Sequence, residues 1–286
     1  MTRMNGPAIF LAQGYGKDGW KTLAECAKTA GALGYRGMQL PLWVPGLIDL
    51  DKAAEDKRYC DKLLREARQA GCPIVEVANH VETQLVRCAP ATLPLFQGFA
   101  PKELHGDARM IAEWAQHRAI KSVKAASNMG FTNVAAFSGS SIFHLVYPWP
   151  QRPAGLVEAA FQALAKAWMP VFHMGEQCGV DVCFELHPGE DLMYGDTFEM
   201  FLNYVGGHKR CKILLDLSHM VLNGMTNDNM LSFIRRFKDR IGMMHVKDGE
   251  FNPTDGGGVY SSYHKWPQRQ GRFRSLGDGQ INYAVV

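Results

Sequence analysis

Short apolar runs alternate along this chain with longer segments whose apolar positions recur every three or four residues, the period of an amphipathic helix. The runs at 7–12, 37–40, 73–78, 133–137, 180–185, 212–216 and 241–246 predict seven strands. The periodic segments at 19–33, 52–70, 107–129, 154–177, 197–205 and 228–237 predict the helices between them, with Gly34 and Gly71 stopping the first two. The strand runs do not alternate cleanly between apolar and polar residues, which suits strands covered on both faces. A parallel sheet wrapped by helices follows, and a TIM-type α/β barrel is the leading architecture. A doubly wound open sheet is the competitor, but no G-x-G-x-x-G pattern follows the first strand. Two long connections, 79–106 and 138–153, follow strands rather than helices, the side on which a barrel places its site.

No linker or shift of composition divides the chain, so residues 1–286 read as one domain. After the seventh strand come a loop at 248–279 and a stretch at 280–286 that reads as the first turn of an outer helix. No eighth strand is predicted. The expectation is therefore a TIM (β/α)8-type barrel, C-terminally incomplete, either a fragment or a barrel open between its first and seventh strands. An edge left open in this way exposes unpaired backbone groups and favours association of copies into a homo-oligomer.

Composition narrows the classes of function. The chain is 47% hydrophobic and 21% charged, enough apolar material for a large buried core. A net charge of +3 without a basic block argues against nucleic acid and membrane surfaces as partners. No apolar stretch reaches the roughly 18 residues of a membrane span, and the first residues lack the pattern of a secretory signal. The 7 cysteines are scattered without a C-x-x-C pair, so they suggest neither a disulfide framework nor a thiolate zinc site. A soluble, cytoplasmic protein is expected.

The chemistry lies at strand ends. The fifth, sixth and seventh strands close on Glu185, Asp216 and His245, each about 30 residues from the next, the length of one strand-plus-helix unit. In a barrel of parallel strands such residues meet at one face and can converge on one ion. Two carboxylates and an imidazole, with no thiolate, suit a hard or borderline divalent cation: Mn²⁺ foremost, with Co²⁺, Mg²⁺ and Zn²⁺ as alternatives. His219 follows Asp216 closely enough to reach a substrate hydroxyl beside that ion. His187 lies two residues beyond Glu185, so strand alternation turns it to the same side. Lys247 stands in the same relation to His245, where it can meet an anionic or hydroxyl group. His80 follows the third strand and is a substrate-side candidate; Arg272 is a candidate for a substrate oxygen or phosphate. Trp43, Trp149 and Trp266 sit on post-strand loops, where aromatic faces suit a sugar ring, although packing is the commoner fate of tryptophan.

Phe184-Glu185-Leu186-His187-Pro188, Asp216-Leu217-Ser218-His219 and His245-Val246-Lys247-Asp248 carry a family resemblance. With the segments 34–38 and 271–279, they make the chain similar over nearly its whole length to the sugar phosphate isomerase/epimerase family of xylose isomerase-like TIM barrels. Ketose 3-epimerases and inosose dehydratases are relatives within it. The resemblance implies one divalent ion held by four ligands, of which Glu185, Asp216 and His245 are three, with a second Glu on an eighth strand. It also implies a reaction: a glutamate removes a proton next to a carbonyl, the metal stabilises the enediolate, and the second glutamate returns the proton. Glu185 supplies the first base, assisted by His219 and His187, and the substrate is a sugar, a sugar phosphate or a cyclitol. Since no counterpart of the second Glu falls within the chain, weak metal binding and poor epimerisation are expected unless another segment supplies it.

Two other readings share this site, an inosose-type dehydratase and a sugar-binding barrel without catalysis. A three-zinc nuclease resembling AP endonuclease IV is further away. That family carries D-R-H-x-x-I-G-x-G after strand seven, and its two zinc-binding positions are occupied here by Gly271 and Phe273, which cannot coordinate a metal.

Overall fold

The computed structural model describes residues 6–260 and 263–286. Seven strands form one parallel sheet in chain order: β1 (Ala8–Phe10), β2 (Gly37–Pro41), β3 (Ile74–Asn79), β4 (Asn133–Ala136), β5 (Asp181–Glu185), β6 (Cys211–Asp216) and β7 (Ile241–His245). Each neighbouring pair is parallel, as crossover connections through helices require. The connecting helices are α1 (Leu23–Ala32), α2 (Leu50–Glu55), α3 (Lys57–Ala70), α4 (His80–Thr83), α5 (Leu93–Phe96), α6 (Ala108–Asn128), α7 (Leu156–Cys178), α8 (Gly195–Tyr204), α9 (Leu217–Leu222) and α10 (Asn227–Phe237). The sheet curls far enough for Phe10, at the end of β1, to stack on His245, at the end of β7, with ring centroids 5.6 Å apart. Those two strands share no backbone ladder among the described residues. The expected seven-stranded barrel, open between its first and last strands, is therefore found.

Three predicted segments differ from what forms. The helix expected over 52–70 is two helices, because Asp56 adopts an extended conformation and its carboxylate accepts the Arg58 N–H at 2.8 Å, capping α3. The loop expected over 79–106 holds α4, α5 and several single turns. The loop expected over 248–279 hides an antiparallel hairpin of β8 (Asp248–Phe251) and β9 (Gly271–Arg274). The segment 280–286 makes a turn, as expected, in which the Val286 N–H reaches the Asn282 carbonyl at 3.1 Å.

Strand alternation sorts the core into two layers. Outward residues of β5, such as Phe184, pack against the helices, with Trp168 edge-on at 4.6 Å and Phe172 and Phe201 around it. Inward residues Ala78, Ala135, Cys183, Leu214 and Met243 form a small separate floor inside the barrel. Two residues further on stand Glu185, Asp216 and His245 at the strand ends, and His80 and Phe137 just beyond theirs. One parity therefore raises a polar layer directly above an apolar one. All seven cysteines are free, and among the described residues no helix is long and apolar enough to cross a membrane.

Candidate metal centre

Glu185 is the hub of the polar layer. Its Oε1 accepts the Nε2–H of His219 at 3.1 Å and lies 3.6 Å from His245 Nδ1, while His80 Nε2 lies 3.0 Å from its Oε2. Burial pushes the Glu185 carboxyl up, but His219, His245 and His80 outweigh it and hold the group well below the usual carboxylate range. The same ring of groups acts back on the histidines. Burial pushes His80 down, and burial with the neighbouring His219 pushes His187 down to about 3, so both are neutral near pH 7. In His245, burial is overcome by the Glu185 carboxylate and the pKa is raised.

Asp216 has a divided role. Oδ1 accepts the Ser218 N–H at 2.9 Å and the Ser218 hydroxyl at 2.6 Å, capping α9 and fixing the side chain. Oδ2 is buried without a well-aligned hydrogen bond, though the Lys247 ammonium lies 3.0 Å from it. Ligand atoms of Glu185, Asp216 and His245 all lie within 4.8 Å of one another, so these three can hold one ion. The donor set of two carboxylates and an imidazole fits a divalent cation.

The other predicted residues fall into two groups. His80, His187, His219 and Lys247 join the cluster: the His187 and His219 rings lie 4.1 Å apart, and Lys247 Nζ is 3.3 Å from His219 Nε2. Arg272 does not join it. Its guanidinium pairs with Glu250 at 2.6 Å across the hairpin, and strand alternation turns it away from the neighbouring Phe273. Phe273 is the residue that faces the site, with its ring 4.1 Å from Lys247 Nζ and 5.5 Å from the His219 ring. Trp266 stacks behind Phe273 at 5.1 Å, Trp43 flanks His80 at 6.1 Å, and Trp149 is 76% exposed.

Four residues at the site were not singled out from the sequence. Phe10 and Phe137 wall it, the latter 4.7 Å from His80 and 4.9 Å from His187. Gln39 accepts the Nε2–H of His245 at 3.0 Å and donates to Glu76 at 3.1 Å. Burial raises the Glu76 carboxyl, opposed by His245 and by the Gln39 hydrogen bond. The available signal was a polar residue inside an apolar strand run, Gln39 in the second and Glu76 in the third.

The profile of the xylose isomerase-like TIM barrel family matches residues 27–286. The chain belongs to that family. Several solved structures superpose on nearly all of this xylose isomerase-like barrel. A xylose isomerase-like TIM barrel protein from Mycobacterium smegmatis, in complex with magnesium, aligns at TM-score 0.60 with 12% identity, over 97% of this chain and 83% of that one. The probable 3-DHS dehydratase of petrobactin synthesis from Bacillus anthracis aligns at 0.60 with 14% identity, over 98% and 86%. D-psicose 3-epimerase from Clostridium cellulolyticum H10, with D-tagatose, aligns at 0.52 with 16% identity, over 92% and 78%. At these identities the likeness establishes the fold. No curated protein sequence matches this barrel.

Proposed function

We propose that this chain is a metal-dependent isomerase or epimerase of a small sugar, sugar phosphate or cyclitol, acting by proton abstraction next to a carbonyl. The observation that carries the reading is the convergence of Glu185, Asp216 and His245 within 4.8 Å at the mouth of the barrel, the face on which such folds place their chemistry. Glu185, Asp216 and His245 would hold the ion, which supplies positive charge to a substrate carbonyl and its neighbouring hydroxyl. Manganese is the metal we expect, with cobalt, magnesium or zinc as alternatives.

The chain's own groups do the rest. Glu185, kept ionised by three imidazoles, is a base already surrounded by groups that can share the proton it takes. His219 and Lys247 face the same space and can hydrogen-bond a substrate hydroxyl. Phe137, Phe273 and Trp43 form apolar walls that exclude water from the reacting carbon. Return of the proton to the opposite face of that carbon requires a second group. Among the described residues no second glutamate joins Glu185, Asp216 and His245, so epimerisation by this chain alone is expected to be slow. Dehydration begins with the same abstraction, and the dehydratase among the structural neighbours keeps it as a second reading.

The test is a screen of keto-sugars, their phosphates and inososes for solvent deuterium incorporation with Mn²⁺ added, in wild type and Glu185→Gln. Incorporation that falls about 10²–10⁴-fold in the variant is the expected result for loss of a catalytic base. Equal incorporation in the two proteins, or no divalent ion bound by wild type, would sink the proposal. An enone product absorbing in the ultraviolet marks the dehydratase instead.

A further inference from the structure

A histidine that ligates a metal through one ring nitrogen must keep its proton on the other, and something must hold it there. In His245 the two nitrogens face different partners: Nδ1 points toward Glu185 Oε1 at 3.6 Å, and Nε2 lies 3.0 Å from Gln39 Oε1. The Glu185 carboxylate draws a ring proton toward Nδ1, the nitrogen whose lone pair an ion needs. We propose that Gln39, oriented by Glu76, is a positioning residue that keeps the His245 proton on Nε2 and leaves Nδ1 free for the metal. This inference rests on the metal-site reading above.

The direction of the chain of bonds follows from its far end. A primary amide has one donor side and one acceptor side. Glu76 Oε2 takes the donor side, Gln39 Nε2, at 3.1 Å. The amide oxygen is then the atom turned to His245, and an oxygen there accepts only if Nε2 carries the hydrogen. With the amide reversed, its oxygen would face the Glu76 carboxylate and its NH₂ would face Nε2, so the first contact would be repulsive. Gln39 can hold this register because it is a central position of β2, paired with Phe10 on one side and Glu76 on the other, and is 2% exposed. The ring is held flat between these groups by Phe10, stacked at 5.6 Å.

Gln39→Met keeps the length and volume of the side chain and removes both hydrogen bonds. Titration calorimetry of the intact protein with Mn²⁺ is expected to show affinity reduced about 10–100-fold, the usual effect of losing a partner behind a ligating histidine. Long-range ¹H–¹⁵N NMR of the Zn²⁺-loaded wild type is expected to show the His245 proton on Nε2, and Gln39→Glu combined with Glu76→Gln, which keeps an acceptor facing His245 with a donor–acceptor contact behind it, is expected to keep affinity within a few-fold. Should Gln39→Met fail to fold, Glu76→Met removes the acceptor at the far end of the same chain and is expected to weaken Mn²⁺ binding. A wild type that binds Mn²⁺ alongside a folded Gln39→Met or Glu76→Met of equal affinity overturns the role of Gln39 alone. A wild type that binds no divalent ion overturns the metal site and this inference together.

Discussion

Glu190 shows what burial does to one carboxyl in this fold. It is fully buried beside Asp191, and its Oε2 accepts the Gly139 N–H at 2.8 Å. Burial pushes its pKa up from 4.5 to about 8, with Asp191 adding to the rise and the Gly139 hydrogen bond opposing it. The folded state therefore holds this proton more tightly than the unfolded chain does. Its stabilising effect is complete below about pH 4.5 and is lost as pH rises through about 8, at up to about 1.4 kcal/mol per pH unit. Glu190→Gln keeps the acceptor for Gly139 and removes the titration. Urea unfolding at pH 5 and pH 8 is expected to show the variant gaining on wild type by on the order of 3 kcal/mol over that interval; parallel pH profiles would show that Glu190 ionises freely in the native state. Residues of this kind differ in legibility. Glu185, Asp216 and His245 could be read from sequence because they end apolar runs. Gln39 and Glu76 could not, because a polar residue inside a strand has meaning only once its inward phase and its partner across the barrel are known.

The β8–β9 hairpin makes the same point at the scale of elements. Its strands are four residues each and separated by a long polar excursion, so neither hydrophobic period nor a short turn announces them. What organises the hairpin is one side chain. The buried Asp248 carboxylate accepts the backbone N–H groups of Gly249, Gly277, Gly279 and Ile281 at 2.8, 3.0, 3.1 and 3.3 Å. Gly279 can approach because it has no side chain: a Cβ there would lie 2.1 Å from Asp248 Oδ1. The seven sheet strands, by contrast, were legible because each is a mainly apolar run, buried on both faces in β2, β5 and β6. Asp248→Ala leaves these N–H groups without their acceptor, at roughly 1–3 kcal/mol for a buried donor. The expected outcome is a loss of about 2–4 kcal/mol in denaturant unfolding, with faster tryptic cleavage after Arg272 and Arg274 and unchanged far-ultraviolet circular dichroism from the main sheet. Cleavage at the wild-type rate would mean that the hairpin is held by its strand pairing instead.

In the molecule as a whole, the candidate metal centre links the two ends of an open sheet. Glu185, Asp216 and His245 lie on β5, β6 and β7, and His245 continues through Gln39 and Phe10 to β2 and β1. The His80, His219 and His245 rings and the Lys247 ammonium crowd the oxygens of the two buried carboxylates and occupy the positions an ion would take. An ion that binds only the folded arrangement shifts the unfolding equilibrium, by about 2.7 kcal/mol at a concentration 100-fold above its dissociation constant. For a chain of this size that corresponds to a rise in Tm of roughly 4–5 °C. Calorimetry with Mn²⁺ against a chelator is expected to show this shift in wild type and not in Asp216→Asn, which loses an anionic ligand. Because His245 also touches β1 and β2, the ion is expected to slow amide exchange at Phe10 and Gln39, far in sequence from every ligand. Slowed exchange confined to β5, β6 and β7 would show instead that the gap between β1 and β7 is closed by packing that the ion does not reach.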